Sequence, residues 1–162
     1  MAKGESKVGT GYDATQAHRV ALDDIPDRMP ILAPGRWAVQ FVRSDIRTIT
    51  TKNGPATVAN IKLDPVEPVS VDHPNADYSE LRQEHTLWLN RTSDLIAAKK
   101  FFAAFGVTGV DLIVRDESGA TVYPAFEAAK GQIARATATE TIAKGGRNKG
   151  NPEVVFTDFA TA

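Results

Sequence analysis

The sequence predicts a mainly β domain with one amphipathic helix. Strand-like segments lie near 36–42, 56–63, 85–90, 132–140 and 153–159, while helical apolar spacing is clearest between Ser93 and Gly106. Turn chemistry at Asn53-Gly54 and Ser118-Gly119 separates segments from one another.

In the first strand, Trp37, Val39 and Phe41 share one face. Arg43, Asp45 and Arg47 continue that parity, so the strand is expected to pass from core to solvent along its length. Thr50–Pro55 then forms a hairpin turn in which Asn53-Gly54 supplies positive φ angles. The return strand, Ala56–Leu63, directs Ala59, Ile61 and Leu63 one way and Val58, Asn60 and Lys62 the other. Residues 64–84 contain Pro65, Pro68 and Pro74 and set six carboxylates against Arg82 alone, which predicts a long acidic loop. In the third strand, His85–Asn90, a core-facing Leu87 and Leu89 would turn Trp88 outward with Thr86 and Asn90.

Ser93 is expected to cap the helix, with Asp94 in its first turn. Leu95, Ala98, Phe102 and Phe105 form its apolar stripe, Lys99 and Lys100 lie off the stripe, and Gly106 ends it. Val110–Val114 fits a short strand or a helical turn, and Asp116–Gly119 a turn. Across Gln132–Glu140, Ile133, Arg135, Thr137 and Thr139 take one face and Ala134, Ala136 and Ala138 the other. A basic stretch, Lys144–Gly150, precedes the last strand, Glu153–Phe159.

Residues 1–31 have few large apolar side chains and read as an arm, either inert or oligomer-forming. Residues 32–162 form the folded unit. Five strands with a helix between the third and fourth match the order of an OB-fold, a small five-stranded barrel. An antiparallel α+β sandwich accounts for the same pattern.

The chain has 162 residues, 42% of them hydrophobic, enough for one compact domain. Its 19 basic and 20 acidic side chains give a net charge of -1, so any attraction for phosphate must come from local charge segregation. The absence of cysteine excludes disulfides, thiolate metal sites and cysteine nucleophiles. No apolar run approaches the ~20 residues of a membrane span, and Met1–Lys7 lacks a secretory apolar core. A soluble, cytoplasmic protein without a membrane partner is expected.

His18, His73 and His85 are scattered, no metal-ligand spacing occurs, and there is no nucleophile elbow. Lys144–Gly150 has the glycines and lysines of a phosphate loop but lacks its Gly-Lys-Ser/Thr ending. The expectation is a non-enzymatic protein with no cofactor and no metal.

The binding candidates are cationic and aromatic. Lys144, Arg147 and Lys149 lie among glycines that let a backbone approach a ligand closely; an ordinary solvated hairpin loop would look the same. Arg43, Arg47 and Lys52 surround the first hairpin, Lys62 sits on its return strand, and Arg135 lies on the Ile133 face. Bases stack on exposed rings, at about 1–3 kcal/mol each. Trp37, Phe41, Trp88, Tyr123 and Phe126 are the rings considered; Trp37 and Phe41 read as core, and Trp88 is the outward one.

The order of segments resembles that of bacteriophage OB-fold single-stranded DNA-binding proteins. The resemblance runs through Leu32-Ala33-Pro34-Gly35-Arg36-Trp37, Thr51–Pro55, Leu87-Trp88-Leu89-Asn90, Phe101–Gly106, Ala129–Ala134 and Asn148–Val154, over roughly residues 32–159. It implies coating of single-stranded DNA in phage replication or recombination, inside the host cell. It further implies replication or recombination proteins as partners, with self-association open. A non-enzymatic virion or assembly protein is the competing expectation, motivated by the arm and the acidic segment.

Overall fold

A computed structural model of the chain describes residues 20–27 and 30–162. Most of the expected arm lies outside these; within it, Leu22–Asp24 makes a single 3-10 turn. The elements that follow are β1 (Gly35–Thr51), β2 (Gly54–Ser70), β3 (Gln83–Trp88), α1 (Thr92–Ala104), β4 (Val114–Arg115), β5 (Thr121–Val122), α2 (Pro124–Ala129), β6 (Ile133–Ile142) and β7 (Pro152–Thr161). Five strands form an antiparallel sheet in the order β3-β2-β1-β6-β7, and β4 and β5 form a separate small hairpin. The protein is mainly β with one principal helix, as the sequence predicts.

The β1–β2 hairpin dominates the sheet and departs from expectation in three ways. First, the positive φ at its tip falls on Gly54 alone, at 106°, and not on Asn53. Second, the pairing slips between Phe41 and Arg43, so Val42 is bulged. A one-residue insertion exchanges the two faces of a strand. Phe41 pairs with Leu63 on the core face, whereas Arg43, Asp45 and Arg47 pair with Lys62, Asn60 and Val58 on the opposite one. The shared parity read from sequence is therefore wrong for these three residues.

Third, β2 runs on to Ser70, so the acidic loop expected over 64–84 shrinks to the stretch between Ser70 and Gln83. Pro65 and Pro68 lie inside the strand. They are tolerated because β3 pairs only with Val58–Leu63, leaving the later half of β2 without a neighbour on that side. A proline on an open edge sacrifices no ladder hydrogen bond. Register slips that skip Val66 and Val69 accompany them. The remaining loop is held at its base: Asn75 accepts from the Ala33 amide (2.7 Å) and donates to the Ile31 carbonyl (3.1 Å). Tyr78 packs edge-on against Trp37, with ring centres 5.0 Å apart.

α1 starts two residues earlier than expected. Arg91 is its N-cap, and the Asp94 carboxylate accepts from the Arg91 amide (3.0 Å) and the Asn90 amide (3.2 Å), which replaces the expected Ser93 cap. The buried stripe is Ala98, Phe101, Phe102, Ala104 and Phe105, with Leu95 exposed. At the other end Gly106 has φ 79°, and the Val107 amide reaches back to the Phe102 carbonyl (2.9 Å), closing a left-handed glycine cap.

α2 is an element that the sequence reading did not anticipate; Pro124 opens it, where a missing N–H costs nothing. Within the β4–β5 turn, the Ser118 hydroxyl and nearby amides donate to Asp116 and hold its carboxyl below the usual range.

The core lies on one face of the sheet. Trp37, Val39, Phe41, Ile61 and Leu63 share one cluster with the phenylalanines of α1, which Phe41 meets ring to ring, and Ala134, Ala136 and Ala138 of β6 line the same cluster. The two edge strands converge over α1. His85 of β3 stacks on Phe101 (5.2 Å, 8° between planes) and meets Phe159 of β7 edge-on at 4.8 Å. Phe159 reaches the core because Asp158 adopts φ 53° at a slip in the β6–β7 register. The sheet is thus curled, and its edges approach through side chains; no hydrogen-bonded pairing of β3 with β7 occurs among the described residues. Burial pushes the His85 imidazole down to about 4.

Candidate nucleic-acid interface

The outer face of the curled sheet is organised by the pairing registers of β1, β2 and β3. Antiparallel partners project on the same side. One row therefore reads Trp88–Val58–Arg47, the next Thr86–Asn60–Asp45, and the third Glu84–Lys62–Arg43. Four residues singled out from sequence, Arg43, Arg47, Lys62 and Trp88, fall on this one surface. Arg43, Asp45, Arg47, Asn60, Lys62 and Glu84, together with Ser44, line a shallow polar cleft of about 400 Å³.

Trp88 is the only exposed aromatic side chain among the described residues. Its exposure is 43%, and the Val58 beneath the row is buried. The alternation against Leu87 and Leu89 holds, since both are buried. Asn90 follows the strand and clamps the β2 backbone instead, accepting from the Thr57 amide (2.7 Å) and donating to the Thr57 carbonyl (3.1 Å). The other rings are withdrawn: Trp37, Phe41 and Phe126 are buried, and Tyr123 is half-buried. Phe126 is committed to Phe102, at a ring separation of 4.8 Å.

The cations differ in how they are compensated. Lys62 is paired with Glu84 at 2.9 Å. Arg43 and Arg47 are exposed and have no ion pair among the described residues. In the middle row, the Thr86 hydroxyl donates to the Asn60 side-chain carbonyl (3.1 Å), leaving the Asn60 amide NH2 outside that bond. Glu84 and Asp45 are the site residues that sequence reasoning missed. Knowing that β3 begins at Gln83 would have set Glu84 beside Lys62.

Other sequence candidates lie elsewhere. Arg135 is on the same outer face but one strand over, between Ala38 and Ala160. It sits about 13 Å along the ladder from Arg43 at ~3.3 Å per residue. Lys52 is at the tip of the β1–β2 hairpin, some five residues, or ~17 Å, past Arg47. Lys144, Arg147 and Lys149 are exposed in the β6–β7 loop, which leaves the ladder past the Gly35 end. The two basic loops therefore project from opposite ends of the sheet, and neither meets the face cluster.

Nor is the β6–β7 loop an open coil. The Gly150 amide donates to the Ala143 carbonyl (2.8 Å) and the Ala143 amide to Asn151 (2.9 Å), with Gly146 and Gly150 at positive φ.

Among the described residues no group of three or more His, Asp or Glu is arranged to hold a metal, and no helix is long and apolar enough to cross a membrane. No protein-family model matches the chain, and no curated protein matches it in sequence.

Proposed function

We propose that the protein is a non-enzymatic single-stranded DNA-binding protein that grips its ligand on the outer face of β1, β2 and β3. One observation carries the reading: the exposed Trp88 shares that face with Arg43 and Arg47, cations that have no ion pair among the described residues. Stacking on a ring is indifferent to base identity, and cations tracking a backbone are indifferent to sequence, so the pair suits sequence-tolerant binding of unpaired strands. Arg43 and Arg47 lie four residues apart, about 13 Å along the strand, a spacing that lets two cations meet separate phosphates of one extended strand.

The strand order supports an OB-fold-like reading of the domain. The five strands of the main sheet run 3-2-1-4-5 across it, the helix follows the third in sequence, and the edges converge at His85 and Phe159. In OB-folds the face of strands two and three and the two flanking loops bind oligonucleotides, which fits Lys52 and the Lys144–Lys149 loop as outlying contacts. Coating of single strands in phage replication or recombination, within the host cytoplasm, is the setting that the sequence resemblance implies.

Fluorescence anisotropy of a labelled dT oligomer, titrated across salt, tests the proposal. Binding that weakens log-linearly with salt is the expected result. A blank titration at low salt, with a large DNA-independent assembly by native mass spectrometry, would favour an assembly role instead.

A further inference from the structure

The third row of the outer face poses an electrostatic problem. Arg43 and Lys62 are direct cross-strand partners, and like charges in that relation repel. Glu84 closes the row on the far side of Lys62 and meets its ammonium at 2.9 Å, but no carboxylate pairs with Arg43 among the described residues. Two cations and one anion thus stand side by side, at the wall of a polar cleft wide enough for a small oxyanion. Asp45 lines the same cleft from the next row and makes no ion pair with either cation among the described residues, whereas Lys62 already holds a carboxylate.

We infer that Arg43 and Lys62 form a phosphate seat in which Glu84 is the resident stand-in for a backbone phosphate, displaced when a strand binds. The inference rests on the single-strand reading above and adds a regulation to it. Glu84 competes with the ligand, so the site gives up part of its affinity in exchange for release. An exposed ion pair of this kind is weak, and a phosphate that also meets Arg43 is able to replace it. No bond is made or broken; Lys62 exchanges one oxyanion for another.

The test is a double-mutant cycle on dT-oligomer affinity with the full chain, using Glu84→Gln, Lys62→Ala and the pair, with thermal melts to verify folding. Glu84→Gln is expected to tighten binding about 1.5- to fivefold at low salt and to steepen the salt dependence by roughly 0.7. Lys62→Ala is expected to cost less than about twofold in the wild-type background and several-fold once Glu84 is neutral. Unchanged affinity in Glu84→Gln, or an equal cost of Lys62→Ala in both backgrounds, overturns the seat while leaving wild-type binding intact. If the wild type itself fails to bind, the parent reading falls and the seat loses its ligand with it.

Discussion

Trp88 and Arg47 are joined through Val58: each is a cross-strand partner of that residue, Trp88 from β3 and Arg47 from β1. With strands about 4.8 Å apart, the ring and the guanidinium stem stand ~10 Å from each other on one surface. A base stacked on Trp88 would leave its phosphate within reach of the long Arg47 side chain.

Replacing Trp88 with Ala should therefore weaken binding to dT oligomers by roughly 5- to 100-fold, the value of one stacked base. The salt slope should barely change, because no phosphate contact is lost. Melting temperature should hold within a few degrees, since the ring is 43% exposed. Anisotropy at several salt concentrations checks both parts. A steep loss of salt dependence would place Trp88 outside the stacking role.

Arg43→Ala with Arg47→Ala should behave in the opposite manner. The slope of log affinity against log salt should flatten by about 1.4, at ~0.7 per phosphate on single strands. By contrast, Lys144→Ala/Arg147→Ala/Lys149→Ala should leave affinity for an oligomer of about six nucleotides nearly unchanged and weaken longer ones. The β6–β7 loop leaves the ladder at the far end from the Trp88 row, so only a longer strand can touch both.

Acid should destabilise the fold through His85. An unfolded histidine takes up a proton near 6.5, whereas burial between Phe101 and Phe159 delays that uptake to about 4. Between these values the unfolded chain binds more protons, so stability falls as pH drops from 6.5 to about 4, and this residue adds no further loss below that. The full effect is on the order of 3 kcal/mol. His85→Phe should flatten this part of a chemical-denaturation pH profile while leaving the carboxylate contribution. A profile that keeps its whole slope would contradict the assignment.

Two glycines should separate sharply. At Gly35 a Cβ would stand 2.5 Å from the Ser70 carbonyl oxygen and 3.0 Å from the Val71 Cα, with φ at 135°. Gly35→Ala should cost at least about 2–3 kcal/mol, from strain and a backbone clash together. Gly106→Ala has open space and pays only for its left-handed φ, about 1 kcal/mol. Urea titrations of both variants measure the difference; equal costs would mean that the backbone at Gly35 yields.

The outward Trp88 was legible because two leucines bracket it, and alternation needs no knowledge of partners. The helix was legible for a similar local reason, although its cap passed to Arg91 and Asp94. What sequence could not convey was register. The Val42 bulge carries no residue signature, yet it moves Arg43, Asp45 and Arg47 from the core parity to the outer face. Pro65 and Pro68 suggested a loop because a central strand would reject them, and only the short reach of β3 makes that part of β2 an edge. The exposure of the basic loop between β6 and β7 is legible in its glycines and cations, but its separation from the face cluster depends on which end of the ladder it leaves.

The most direct test compares three proteins on one labelled dT oligomer at low and physiological salt: wild type, the face variant Arg43→Ala/Arg47→Ala/Trp88→Ala, and the loop variant Lys144→Ala/Arg147→Ala/Lys149→Ala. Micromolar or tighter wild-type binding is predicted, with a loss of about 100-fold or more in the face variant at unchanged fold and a much smaller loss in the loop variant. A face variant that binds as tightly as the wild type would contradict the account.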